Sequence, residues 1–552
     1  MRLIDTQNLR LEEFLGVDPP PYAILSHTWD VEEVTFGDMI NGASYSVRAK
    51  KGFRKIEQTC RIALEGNLRY AWVDTCCIDK SSSAELTEAI NSMFQYYERA
   101  QICYAYLSDL PPGVAEDVAF PKCRWFTRGW TLQELLAPSS LDFFDATWER
   151  RRSKNDAAHI ICQVTGIDSD YLWYPGRIHH ASVAERMSWA SSRTTTRVED
   201  LAYCLLGLFD INMPMLYGEG QKAFLRLQEE IVKRTNDLSL LAWKQQSTTE
   251  SEHGCGVLAP APSAFQASGH LLYGSRQDEF SVTNKGIKIT AQLHTAMASN
   301  SLPFYILHLA DDKDFAPVYL VLLKLDRDLY IRDSRINGGL WDQALQFEGP
   351  PLRTQSMYLA HDPSRRYGSE TIYKKRRGSI ELYIPRDTGR IKVFDVIPES
   401  IWDPALSLLL DPSSSVALLL GDPKEPYGSV YLVVLKRRTM GTIYFVPASS
   451  PAIPYILSNL ASLTRQDLLA FWNLEPVAFD RVEGTPPSSF IFVGKGFDAG
   501  DLQVDLRASF REVYATTPGL YGTQGTPILQ LNGLRIEQTD LELGSLQQSR
   551  QS

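Results

Sequence analysis

Two apolar runs near the N-terminus stop abruptly in polar residues, and this pattern constrains the fold more than any other feature of the chain. Tyr22-Ala-Ile-Leu25 runs into Ser26-His-Thr-Trp-Asp30, and Tyr70-Ala-Trp-Val73 runs into Asp74-Thr-Cys-Cys-Ile-Asp79. Short, fully apolar runs of this kind are strands buried on both faces, which occur where helices cover a parallel sheet. In open parallel sheets, ligands bind outside the carboxyl ends of the strands. Ser26, His27, Trp29, Asp30, Asp74 and Cys77 are therefore candidates to line one crevice. A third segment, Arg128-Gly-Trp-Thr-Leu-Gln-Glu-Leu135, reads as a helix start. It is expected to bring Trp130 and Glu134, four residues apart on one helical face, to the same rim.

The intervening sequence alternates between the two periodicities. A helix is expected over Lys51–Gly66, with Phe53, Ile56, Cys60 and Ala63 on one face and Gly66 as its stop. Ser82 and Glu85 form a capping-box signal for a second helix carrying Leu86, Ile90, Met93, Phe94 and Tyr97 in register. Strands are expected at Tyr22–Ser26, Arg69–Asp74, Ile102–Leu107 and Leu141–Phe144, and a short helix at Gly129–Ala137. Strands alternating with helices of this length imply crossover connections, so residues 1–150 read as an α/β domain with a parallel sheet. Residues 151–244 read as a helical extension. There Thr196 and Glu199 open a helix with Val198, Leu201, Ala202, Leu205 and Leu206 in register, and Phe224, Leu227 and Ile231 mark another.

Polar residues at Lys244–Gly254 read as a linker. Beyond it the pattern changes to short β-branched and aromatic runs: Phe304–Leu309, Val318–Lys324, Ile380–Ile384, Val416–Leu420, Val430–Lys436, Ile443–Val446 and Phe490–Val493. Residues 255–552 thus read as a β-rich domain, as one sandwich or two β units. Val318-Tyr-Leu-Val-Leu-Leu-Lys324 echoes Val430-Tyr-Leu-Val-Val-Leu-Lys436, and each follows an acidic turn containing lysine. That is consistent with a duplication or with convergence of two core strands. The last dozen residues read as a frayed tail.

Bulk properties exclude several function classes. A net charge of −10 argues against nucleic acid as an obligate partner, because phosphate binding needs a basic face. The short basic run Arg150-Arg-Arg-Ser-Lys154 reads as a solvated loop. Eight cysteines without a C-x-x-C pair speak against a disulfide framework or a zinc site and suit a reducing compartment. Charges interrupt every apolar pair of the N-terminus, so no signal peptide is expected, and no run approaches the length of a membrane span. The expected location is the cytoplasm. No metal-ligand spacing or Walker-type loop is present. Gly218-x-Gly220-x-x-Ala223 matches a dinucleotide fingerprint only formally, because no strand precedes it.

Taken together, Tyr22-Ala-Ile-Leu-Ser-His-Thr-Trp29, Trp72-Val-Asp74 with Cys77-Ile-Asp79, and Arg128-Gly-Trp-Thr-Leu-Gln-Glu134 resemble the heterokaryon-incompatibility (HET) domain of filamentous fungi. Trp189-Ala190, Arg193-Thr194, Glu199 to Tyr203 and Leu216-Tyr-Gly-Glu-Gly220 resemble the segment that follows that domain. The resemblance spans roughly Arg2 to Trp243. It implies a cell-death effector acting in non-self recognition, with self-association and a protein or ligand trigger as partners. HET domains in turn resemble TIR domains, so the fold implied is TIR/flavodoxin-like. Trp130-x-x-x-Glu134-Leu135 is similar to the TIR segment W-C-x-x-E-L, whose glutamate serves NAD cleavage. The resemblance therefore implies Glu134 as a catalytic carboxylate and NAD as a substrate, with no resident cofactor.

The residues themselves leave alternatives open. One carboxylate can stabilise the oxocarbenium-like state of nicotinamide–ribose cleavage, and the Trp130 indole can stack on a base. Equally, Glu134 can pair with Arg128, and Trp130 can be core. Ser26 and His27 can hold ribose or phosphates, or serve the loop. Asp74 can accept ribose hydroxyls or cap backbone amides. Cys77 lacks a partner for nucleophilic work and reads as a buried thiol. Asp30, Glu32 and Glu33 read as a solvated acidic turn. The rival function is a non-enzymatic signalling or interaction module that binds a partner or nucleotide at the same rim.

Overall fold

The structure, a computed structural model, describes residues 1–361 apart from 15–17, 114–115, 246–253, 274–278, 297–303, 326–327, 334–338 and 342–353; beyond residue 361 it describes strand segments only. The first sheet has seven strands: β1 (Arg2–Asp5), β2 (Arg10–Glu13), β3 (Tyr22–His27), β4 (Tyr70–Trp72), β5 (Ile102–Tyr106), β6 (Leu141–Phe144) and β7 (Arg150–Ser153), in the order β2-β1-β4-β3-β5-β6-β7. The middle four run parallel. Both edges are antiparallel, through the β1–β2 hairpin and through β7. The sheet is therefore mixed, and not wholly parallel as the apolar runs suggested.

All six residues of β3 are buried, as an apolar central strand requires. Helix α1 (Phe53–Glu65) connects β3 to β4 and buries Phe53, Ile56, Cys60 and Ala63, the face expected from their spacing. Helix α2 (Ser83–Arg99) connects β4 to β5, and the Ser82 hydroxyl accepts the Glu85 amide at its start. Among the parallel strands, numbered along the chain, the spatial order is second, first, third, fourth. The chain leaves β3 for β4 on one side and returns to β5 on the other, which makes the β3/β5 boundary a topological switch point.

Two local expectations are corrected. The Arg150–Lys154 run is no solvated loop. Arg150 pairs bidentately with Asp142 (2.7 and 2.8 Å), Arg151 with the buried Asp145 (3.0 Å), and Lys154 is buried with its ammonium on the Leu135 and Pro138 carbonyls. The helix expected from Thr196 shrinks to Asp200–Tyr203, because Glu199 turns away to accept the Gly218 and Gly220 amides (2.8 and 3.1 Å). Those glycines have φ of +103° and +61° and bind a carboxylate of their own chain. The helix bearing Phe224, Leu227 and Ile231 forms at Lys222–Val232.

A second, larger sheet follows. Its main path runs Leu293–Ala296, Phe304–Asp311, Pro317–Lys324, Leu329–Asp333, Gln355–Leu359, Gly286–Ala291 and Phe280–Thr283. Buried side chains continue from the first sheet through Trp243 into this one. Buried Arg332 donates to the Leu241 carbonyl (2.8 Å) and to that of Trp243, with its guanidinium 3.9 Å from the Trp243 ring centre. The two echoing segments each pair with the strand before them, Pro317–Lys324 with Phe304–Asp311 and Tyr431–Leu435 with Val416–Gly421, both antiparallel. Most of the Lys244–Gly254 linker and the C-terminal tail lie outside the described residues.

Candidate functional site

The register of β3 and β4 pairs Ile24 with Trp72, so two residues further on Ser26 and Asp74 leave the sheet at the same edge. Helix α3 (Thr131–Leu136) lies against that edge, and every one of its residues is buried. The Ser26 hydroxyl donates to the Glu134 carboxyl and accepts the indole N–H of Trp125 (2.7 Å). The Tyr97 hydroxyl donates to the Leu25 carbonyl (3.0 Å) and also contacts Glu134. Glu134 is thus no exposed rim carboxylate; its exposure is 9%. Among the described residues it forms no ion pair. Burial, with the nearby Asp74 charge, raises its pKa to about 8 against the opposing effects of Ser26, Arg193 and Tyr97.

A charged network adjoins this dry cluster. Burial acts to raise the Asp74 pKa, but Lys80, His27 and the Trp29 indole outweigh it and hold Asp74 below its ordinary value. The Trp29 N–H donates to Asp74 (3.0 Å), and Lys80 reaches Asp74 (3.4 Å) while lying 3.7 Å from the Trp29 ring centre. His27 sits between two acids, Nδ1 at 3.9 Å from Asp74 and Nε2 at 3.8 Å from Glu33. Burial nevertheless lowers its pKa, and its Nε2 has no hydrogen-bond partner. Asp30 and Glu33 are not a solvated turn either, since both bind the buried Lys55 ammonium, which also donates to the Thr28 carbonyl (3.1 Å).

The remaining candidates separate from the cluster. Cys77 is buried, and its sulfur accepts the Val73 amide (3.4 Å). Arg128 does not reach Glu134; its guanidinium donates to Thr196 (3.3 Å). Trp130 precedes α3, is partly buried, and hydrogen-bonds Asp200. Of the expected residues, Ser26 and Glu134 are in direct contact, with His27, Trp29 and Asp74 beside them.

Residues 22–115 match the family model described as heterokaryon incompatibility protein (HET). This stretch spans β3, β4 and β5 and includes Ser26, His27 and Asp74, whereas Glu134 lies beyond it. Over 224 residues the chain is 47% identical to the vegetative incompatibility protein HET-E-1 of Podospora anserina. The chain carries a HET domain. That alignment takes in 39% of this chain and 16% of the Podospora protein, so the chain spans about a sixth of its relative's length. Residues 222–304 match a domain of unknown function, DUF8212. No solved structure matches.

Three residues that position Glu134 escaped the sequence reading. Trp125, in a single turn at Arg124–Thr127, anchors Ser26. Tyr97 belongs to the apolar face of α2 and gave no sign of its polar end. Arg193 is distant in sequence, yet its buried guanidinium donates to the Arg128 carbonyl (2.8 Å) and the Thr131 hydroxyl (2.9 Å) at the start of α3. One Arg193 nitrogen is left without a partner. Its place in the Arg193-Thr194 motif was the available signal. Gly129 is required here, because a Cβ would lie 2.5 Å from Thr195 and 3.1 Å from the Cys204 sulfur. Arg193 of the extension thus holds the start of the helix that carries Glu134.

Proposed function

We propose that this chain is a cell-death effector of heterokaryon incompatibility whose HET domain hydrolyses NAD, with Glu134 as the catalytic carboxylate. The observation that carries this reading is the buried Glu134 carboxyl, held by Ser26 at the carboxyl edge of the parallel strands and with no ion-pair partner among the described residues. The second-first-third-fourth order of those strands is the start of the flavodoxin-like order, which supports a TIR-like reading of the domain. In the reaction the bond between nicotinamide nitrogen and ribose breaks, and its electron pair leaves with nicotinamide. Water adds to the ribose carbon, giving ADP-ribose and one released proton. A cation develops on the ribose, and a carboxylate in a dry site stabilises it far more than the same group in water. The positively charged nicotinamide ring, brought beside Glu134, supplies the charge the site lacks and favours loss of the Glu134 proton. Ser26 orients the carboxyl, and Asp74 and Trp29 offer acceptor and ring surface to the ribose and base.

Residues 151–244 and 255–552 are read as the parts that restrain and trigger the domain, in the cytoplasm and through self-association or a bound partner. Among the described residues no helix is long and apolar enough to cross a membrane. The test is release of nicotinamide from NAD by the purified chain, with Glu134→Gln alongside. Turnover reduced by about 10²–10³ in a folded variant is expected. Cell killing that persists in folded Glu134→Gln would favour an interaction module over an enzyme.

A further inference from the structure

A cavity of about 560 Å³ opens beside the charged network, away from Glu134. Its lining includes Asp30, from the loop after β3, and Tyr106, the last residue of β5. It therefore lies at the β3/β5 switch point, where open α/β sheets bind ligands. Its size is within the usual range for small-molecule sites.

The charge of the lining is opposite to that of the chain. The protein carries a net −10, yet five cationic side chains line this cavity against the two carboxylates of Asp30 and Glu57. Some of the cations are committed: Lys55 to Asp30 and Glu33, Lys50 to Asp38 (2.7 Å), and Arg48 to the Ala43 carbonyl (3.2 Å). Two are available. Lys51 is 84% exposed with its nearest acid 3.9 Å away, and Arg54 forms no ion pair or side-chain hydrogen bond among the described residues.

The cavity also has an aromatic wall. The Tyr106 and Trp148 rings stack 4.4 Å apart and within 10° of parallel. Trp148 is held at φ +68°, a conformation bulky residues avoid, in a turn that the Asp145 carboxylate fixes by accepting the Thr147 and Glu149 amides (2.8 and 3.1 Å). Strain of this kind persists where the surroundings enforce it and concentrates at ligand sites.

We propose that this cavity binds a nucleotide, with its phosphates on Arg54 and Lys51 and its base against the Tyr106–Trp148 pair. Free cations alone would suit any small anion; the planar aromatic wall selects one that also carries a base. The site is separate from Glu134 and does not depend on the catalytic reading of that residue.

The experiment is equilibrium binding of ADP to the purified full chain, with pyrophosphate and adenosine as its two halves. Saturable ADP binding that weakens as salt rises is expected, with each half at least tenfold weaker. Arg54→Glu, at an exposed position, is expected to weaken ADP at least tenfold with unchanged thermal unfolding, and Lys51→Glu to weaken it less. Glu134→Gln is expected to bind ADP like the wild type, so loss of NAD cleavage there and loss of ADP binding in Arg54→Glu report on different sites. Absence of saturable ADP binding, or ADP binding unaltered by Arg54→Glu, would overturn the proposal. Pyrophosphate binding as tightly as ADP would overturn it too, since the aromatic wall would then contribute nothing.

Discussion

Glu134 and Asp74 lie at the same edge of one sheet, and their surroundings push them in opposite directions. Asp74 has a lysine, an imidazole and an indole N–H around it, and these hold it ionised despite burial. Glu134 has a hydroxyl, a phenol and only the distant influence of Arg193, so burial prevails and its pKa rises to about 8. Paired carboxyls whose environments separate their proton affinities are a common arrangement where one acid does chemistry and the other holds charge. The lesson is that the number of polar neighbours does not decide the outcome. What decides it is whether any neighbour brings a full positive charge.

The largest expected effect concerns Glu134 itself. The folded protein retains a proton on Glu134 that the unfolded chain has lost between the ordinary pKa of 4.5 and about 8. The stability this group confers is therefore complete below pH 4.5 and is lost as pH rises through about 8, at about 1.4 kcal/mol per pH unit and about 5 kcal/mol in all. Glu134→Gln should be no less stable than the wild type near pH 5 and clearly more stable near pH 9. Unfolding free energies of the two proteins across that range check this, and a constant difference would place Glu134 with Asp74 as an ordinary ionised acid.

Next in size is Lys55→Met. It removes the ammonium that binds Asp30, Glu33 and the Thr28 carbonyl, and removing one partner of a buried charge pair costs about 3–5 kcal/mol. Denaturant unfolding would show it; a loss under about 1 kcal/mol would mean that water already screens the network. Ser26→Ala should cost about 1–3 kcal/mol, because it leaves both the Trp125 N–H and Glu134 without their shared partner. Ser26→Thr, which keeps the hydroxyl, should recover part of the loss. The smallest effect is expected for Lys80→Ala. Its pair with Asp74 is partly exposed, so stability should change by about 0–1 kcal/mol. The Asp74 pKa should nevertheless rise, which an NMR titration of its carboxyl can follow. A stability loss of several kcal/mol would show the Asp74 network to be as dry as the Glu134 cluster.

The strand ends were readable because a buried parallel strand must be apolar along its length and polar where it leaves the sheet. Tyr22–His27 and Tyr70–Trp72 obey that rule, and the register then carries Ser26 and Asp74 to one edge. The edge strands were not readable. Arg2–Asp5 and Arg10–Glu13 alternate too briefly, and Arg150–Ser153 is wholly polar because it is ordered by ion pairs to Asp142 and Asp145. Glu134 was identifiable as a residue but not as an environment. Its burial depends on Trp125, Tyr97 and Arg193, which come from a single-turn helix, an apolar helix face and the distant extension. No local periodicity links those three positions. The Thr196 capping signal misled because Glu199 had a stronger claim in the Gly218 and Gly220 amides.

The pH dependence of kcat/KM for NAD cleavage tests the role of Glu134 most directly. The cation-stabilising form is the carboxylate, so the free enzyme must lose the Glu134 proton to act. The rate constant should rise about tenfold per pH unit below about 8 and level off above it, and the rise should be absent from the residual activity of Glu134→Gln. A profile that is flat from pH 6 to 9, or that falls across that range, would contradict the assignment of Glu134 as the carboxylate that stabilises the ribose cation.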